Sequence, residues 1–197
     1  EYKGVEVVRS IVVTETPITE VDDFSDKTYL IQPVARSNMT FVYENENREL
    51  YSNGNLAYVK SILDANGLPY VWKMIKVDEI ENAYYIQNMD SEHYVGKPNG
   101  SDVPCNIVET SQPYFIFSDM DNYSAMRIAF SEPDTEYWNE FSFSDPDYGT
   151  GIGWWNDPDD PGAPYRLYPV TINKGSAVFN DQITLEIIDS ETAHVSP

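Results

Sequence analysis

One cysteine and two histidines among 197 residues remove most of the reactive chemistry that side chains can offer. Cys105 has no intramolecular partner, so no internal disulfide can form and stability must come from packing. Thiol usage therefore does not fix the compartment. A Ser-His-Asp or Cys-His relay would have to run through His93, because His194 lies in a polar tail. No Gly-x-Ser-x-Gly, His-Glu-x-x-His or phosphate-loop pattern accompanies His93 or Cys105. His93, beside Tyr94-Val95-Gly96, reads as the start of a strand, and Cys105, after Pro104, as a buried or loop position. The sequence thus predicts a protein that is not an enzyme, with no catalytic residue and no cofactor.

Positive charge is also scarce. Twelve Lys and Arg stand against 33 Asp and Glu, a formal net charge of -21. A nucleic acid or an anionic bilayer would repel such a surface, so neither is expected as a partner. Neutral or cationic ligands and basic protein surfaces remain. No apolar run approaches the ~18 residues of a membrane-spanning helix, so membrane insertion is not expected. Residue 1 is followed by neither a basic n-region nor an apolar h-region; the chain either begins after a removed signal or was cut from a longer protein.

What the sequence has is tyrosine, 15 residues of it, and short β-rich runs bounded by Gly, Pro, Asn and Asp. Examples are Tyr29-Leu30-Ile31-Gln32, Tyr84-Tyr85-Ile86-Gln87 and Tyr114-Phe115-Ile116-Phe117. No long stretch keeps a helical apolar period, and one helical turn is expected over residues 55–64. A Pro-Tyr step before an alternating strand occurs three times, at Pro69-Tyr70, Pro113-Tyr114 and Pro164-Tyr165. Strands with Ile at an inward position accompany it, at Ile31, Ile86 and Ile128. Tyr70, Tyr114 and Tyr165 are read as equivalent core positions. These define three units, roughly 27–75, 82–118 and 124–170. A four-stranded unit cannot bury its apolar face alone, whereas three around an axis close a barrel. The expected class is all-β, a β-trefoil over residues 27–171, with strand extensions at 1–26 and 172–197. The extensions, around Val5 to Val13 and Ile183 to Ile188, are expected to pair with each other or to cover the barrel's flank.

Tyr70-Val71-Trp72-Lys73-Met74-Ile75, then Ala83-Tyr84-Tyr85-Ile86-Gln87-Asn88, then His93-Tyr94-Val95-Gly96 resembles ricin-type, lectin-like trefoils. The stretch from Gly151 to Val170 resembles third repeats of such trefoils in secreted proteins of gut Bacteroidetes. The resemblance covers about residues 27–170. It implies a carbohydrate-binding accessory domain, secreted or at the cell surface of a bacterium. The Gln-x-Trp signature of sugar-binding ricin-type repeats is missing from all three units, so the family's sugar sites do not carry over residue by residue.

The stretch from Asp145 to Gly162 holds the candidate site. An indole stacks on the apolar face of a pyranose while short polar side chains bond its hydroxyls. Trp154 or Trp155 is read as the platform, with Asn156, Asp157 and Tyr148 as hydrogen-bonding neighbours and Trp138 as a third candidate. Adjacent strand residues face opposite ways, so one of the paired tryptophans is expected in the core. The carboxylates of this stretch do not have EF-hand spacing, and no metal site is assigned. The expected partner is a glycan bound by a monomer; the alternative is a protein-interaction or architectural module whose acidic surface meets a basic protein.

Overall fold

The computed structural model describes residues 6–18, 23–34, 39–97, 100, 103–118, 125–130, 136–157, 159–178, 184–187 and 193–195. It divides into two compact units: residues 13–170, and the two chain ends up to Val12 and from Thr171.

After β1 (Glu6–Val13) the described chain runs through three sets of four strands. The first is β2 (Thr28–Pro33), β3 (Phe41–Glu44), β4 (Leu50–Asn53) and β5 (Trp72–Lys76), with helix α1 (Leu56–Asp64) between the last two. The second is β6 (Ala83–Asn88), β7 (Tyr94–Val95), β8 (Ile107–Val108) and β9 (Pro113–Ser118). The third is β10 (Met126–Ala129), β11 (Tyr137–Asp145), β12 (Gly149–Trp155) and β13 (Tyr165–Val178). Outer strands of the sets pair in a ring: β2 with β5, β5 with β6, β6 with β9, β9 with β10, β10 with β13, and β13 back with β2, all antiparallel. Closure leaves this barrel no free edge. Inner strands form the hairpins β3–β4, β7–β8 and β11–β12.

Period-two alternation drives the closure. Along β6, Tyr84, Ile86 and Asn88 are buried while Tyr85 and Gln87 are only partly covered. Ile31, Ile86 and Ile128 face Leu167, Met74 and Ile116 across the barrel pairs, and all six are buried in one cluster. Each fully buried aliphatic side chain contributes about 1.5–3 kcal/mol. Two residues before Met74, Ile116 and Leu167 stand Trp72, Tyr114 and Tyr165, also buried. Trp72 Nε1 donates to the Val42 carbonyl at 3.0 Å and Tyr114 Oη to the Gly96 carbonyl at 2.6 Å, tying barrel to hairpin in two repeats.

That register corrects one expected equivalence. Trp72, not Tyr70, matches Tyr114 and Tyr165; Tyr70 belongs to the turn ahead of β5, because the first repeat enters its last strand two residues later than the Pro-Tyr step suggests. The start of the barrel unit also lies earlier than residue 27. Thr14 N–H donates to the Pro169 carbonyl, Ile18 bridges to Leu167, and Phe24 is wholly buried against Tyr29 and Tyr84. In the terminal unit, β1 and β14 (Thr184–Ile187) both pair with β13, and β15 (Ala193–Val195), which carries His194, pairs with β14. The expected extension strands therefore share β13 as a partner; Val5, Ile183 and Ile188 lie outside the described residues. No helix among the described residues is long and apolar enough to cross a membrane.

Ile86→Ala should lower the unfolding free energy by about 2–5 kcal/mol, and Ile31→Ala and Ile128→Ala should do the same within about 1 kcal/mol. Ile80, which is 38% exposed, should tolerate alanine at a cost of about 0.5 kcal/mol or less. Urea denaturation curves of the four variants check this.

Candidate functional site

The β11–β12 hairpin and the two residues after it carry every residue that the sequence nominates, but not at one place. Trp138 pairs with Trp154 and Tyr137 with Trp155. Trp138 is fully buried, its ring edge-on to Tyr114 at 5.5 Å and to Tyr165 at 5.8 Å. It is a core residue with no face left for a ligand, a correction to its nomination. Trp154 is half-buried, Trp155 is 41% exposed, and Asn156 and Asp157 are exposed beyond it. Tyr148 sits at the opposite end of the seven-residue β12, about 20 Å away at strand rise.

The glycines and aspartates of this hairpin have structural uses. A Cβ at Gly151 or Gly153 would come within 2.7 or 2.5 Å of the Phe141 ring, so glycines spaced by two make room for an aromatic side chain. Asp145 Oδ1 accepts from the Asp147 and Tyr148 backbone N–H groups, Asp157 Oδ1 from Asp159, and Asp160 Oδ1 from Gly162 and from Asn139 Nδ2. These are turn-making contacts. Among the described residues no group of three or more His, Cys, Asp or Glu is placed to hold a metal ion. Cys105 is wholly buried, and burial pushes its thiol up to about 12, which keeps it protonated and unreactive.

A different place has the form of a binding site. Tyr43, Tyr58, Tyr70 and Tyr148 line an open cleft of about 530 Å³ with Glu44, Asn45, Glu46 and Asp147. That volume suits a small ligand. Four local devices shape the cleft, three that aim rings and one that sets the turn bearing two of the carboxylates. Tyr58 rides on α1, whose N-cap Asn55 accepts from the Tyr58 N–H at 3.0 Å, and the ring packs over Gly54, which holds a φ of 68°. Tyr70 follows Leu68 and Pro69, which are held by the β6–β7 turn: Asp90 accepts from the Leu68 N–H and Asn88 Nδ2 donates to the Pro69 carbonyl. Asn45 Oδ1 accepts from the Asn47 and Glu49 N–H groups and so shapes the turn that carries Glu44 and Glu46. Tyr148 precedes Gly149, whose φ of 98° and approach to the Ser52 carbonyl, where a Cβ would lie at 2.4 Å, require glycine.

The cleft is internally bonded. Tyr43 and Tyr70 stack with centroids 5.0 Å apart, and Tyr58 meets Tyr70 edge-on at 6.3 Å. Tyr43 Oη donates to the Tyr148 carbonyl at 2.8 Å; Tyr148 Oη donates to Glu46 at 3.0 Å and accepts from Asn47 Nδ2 at 3.1 Å. Burial pushes the Tyr43 phenol up to about 12, and Tyr51 and Tyr70 are also pushed up by burial; Tyr148 is raised first by its bond to Glu46. Sequence reading missed this site because its rings come from two repeats, Tyr43 and Tyr148 being 105 residues apart. The local signals were the Gly54-Asn55 helix start and the Asp145-to-Gly149 turn, both of which present a tyrosine.

Comparison with solved structures places this arrangement among known folds. The ricin B-like lectin of Macrolepiota procera, solved in complex with lactose, superposes with a TM-score of 0.57 at 17% identity, over 79% of this chain and 99% of that one. The chain is a β-trefoil. The agglutinin of Rhizoctonia solani matches with a TM-score of 0.58 at 15% identity, over 76% of this chain and 99% of its own. The designed threefold-symmetric protein ThreeFoil matches with a TM-score of 0.52 at 11% identity, over 71% and 96%. By sequence, the trefoil matches no protein-family profile and no curated protein.

The raised tyrosines make a stability prediction for alkaline solution. A phenol whose folded value lies above its ordinary 10.0 stabilises the fold in its neutral form below that value, and this is lost as pH rises through the folded value. Unfolding free energy should therefore fall between pH 10 and about 12 as Tyr43 ionises, and Tyr43→Phe should remove part of that fall. Absorbance titration of phenolate alongside denaturation at each pH checks both.

Proposed function

We propose that this chain is a non-catalytic, lectin-like module of a secreted or cell-surface protein, and that it holds a saccharide in the tyrosine cleft. The observation that carries this reading is the cleft itself, in which exposed and partly exposed tyrosine rings stand beside carboxylates and an amide. Ring faces can cover the C–H face of a pyranose while carboxylate oxygens accept from its hydroxyls. Neighbours of the same fold, one named as a lectin and solved with lactose and one named as an agglutinin, support the ligand class. A non-catalytic role is favoured by the buried, protonated Cys105 and by the turn-making use of the aspartates.

Trp155, with Asn156 and Asp157, offers a second exposed aromatic surface, and substitution separates the two. In a glycan array followed by calorimetric titration of the best ligand, Tyr58→Ala should weaken binding about tenfold, the scale of one aromatic contact of about 1.4 kcal/mol. Trp155→Ala should leave it within about twofold. Loss of binding with Trp155→Ala and not with Tyr58→Ala moves the site to the tryptophan surface. Absence of binding to every saccharide, on the folded protein, rejects the reading.

A further inference from the structure

We propose that the cleft selects a saccharide bearing a free, positively charged amino group, an amino sugar in ammonium form rather than its N-acetylated or neutral counterpart. This rests on the saccharide reading of the cleft and names its ligand class.

Charge balance in the cleft is one-sided. Glu44, Glu46 and Asp147 line it, and no lysine or arginine is among its described lining residues. Arg48 lines the adjoining recess of about 280 Å³, where it stands among three carboxylates, Glu44, Glu46 and Asp90. Lys60, on the helix that carries Tyr58, is paired with Glu15. A concave site of one charge sign concentrates its field where a ligand sits, so a cation is drawn in and an anion kept out.

Hydrogen-bonding capacity is one-sided too. Tyr43 and Tyr148 have already given their hydroxyl hydrogens to the Tyr148 carbonyl and to Glu46, so the oxygens they turn to a ligand can only accept. Asn45 Nδ2 points back to Glu49. With three carboxylates added, acceptors outnumber the donors left in the lining, the hydroxyls of Tyr58 and Tyr70. An ammonium group has three donors and no acceptor, whereas an N-acetyl group brings a carbonyl that needs a donor. Burying that carbonyl without one is costly.

The rings point the same way. Faces of Tyr43, Tyr58 and Tyr148 carry the negative side of the aromatic quadrupole, and an ammonium within about 6 Å of a ring centroid is attracted to it. A pyranose with a ring-attached ammonium uses both properties at once: its C–H face covers a tyrosine while its charge meets the carboxylates.

The test uses the whole chain and three β-1,4-linked tetramers: glucosamine with free amines, N-acetylglucosamine, and glucose. Titrations are run at about pH 6, which keeps the sugar amine in its ammonium form. Calorimetry should give the free-amine tetramer about tenfold or more higher affinity than the other two. Glu46→Gln with Asp147→Asn, both exposed positions, should remove most of that difference. Asp78→Asn with Glu81→Gln, the same loss of two charges in the β5–β6 turn, should leave it in place. Equal or tighter binding of the acetylated or glucose tetramer overturns the selectivity and leaves the saccharide reading standing. Binding of none of the three, with a lysine-rich peptide bound through Glu46 and Asp147 instead, overturns the amino-sugar assignment in favour of a protein partner. Failure of every probe overturns the amino-sugar assignment, while the saccharide reading stands or falls on the glycan array.

Discussion

Pairing of β13 with β2 is the contact on which the rest of the molecule stands. It places Leu167 against Ile31 and Tyr165 against Pro33, joining the last barrel strand to the first. Without it, β2 and β13 would each expose a row of unpaired backbone groups and an apolar face. With it, inward side chains of all three repeats share one centre, and no repeat needs to be stable alone. Closing so long a loop costs entropy that grows only slowly with length, while the buried isoleucine layer stabilises every repeat together. Trp138 shows how full that centre is: it leaves a hairpin to fill the space between Tyr114 and Tyr165.

The barrel is threefold, but the hairpins outside it are not. β12 of the third repeat pairs with β4 of the first through Thr150 with Ser52 and Gly151 with Tyr51. The buried Ser52 hydroxyl donates to Glu140 at 2.6 Å beneath that junction. Gly149 lets the third hairpin turn press on the Ser52 carbonyl, which delivers Tyr148 to Tyr43. The cleft is thus a product of one seam between repeats rather than of the repeat itself.

Barrel strands were legible in the sequence because burial alternates with period two and each inward Ile has a matching strand partner. Ile31, Ile86 and Ile128 were placed correctly for that reason. Tyr70 was not, since a Pro-Tyr step looks alike whether it opens a strand or stands in the turn before one; only the pairing of Met74 with Ile86 reveals the shift of two residues. The tryptophans were legible as aromatic and not as exposed. Trp138 and Trp154 share a register position, yet one is sealed against Tyr114 and Tyr165 and the other is only partly covered. Phe24 and Ile18 precede the first repeat with no strand pattern to mark them, and only the core they enter assigns them to the barrel unit.

Uneven connections explain why a cleft arises at one seam. Between β4 and β5 the chain carries α1 and the turn holding Tyr70, whereas β8 passes to β9 and β12 to β13 by shorter paths. A barrel tolerates such an insertion because the connection lies outside the closed ring, where added length costs little. Tyr58 and Tyr70 both belong to this insertion, and the neighbouring hairpin supplies Tyr148 from the far end of the sequence. Tyrosine suits that work: the ring gives each segment an apolar face to bury against the others, and the hydroxyl locks the seam by bonding a carbonyl or a carboxylate. The bonds that make the cleft rigid also consume the hydroxyl hydrogens of Tyr43 and Tyr148, so the packing that builds the cleft tilts its lining toward acceptors.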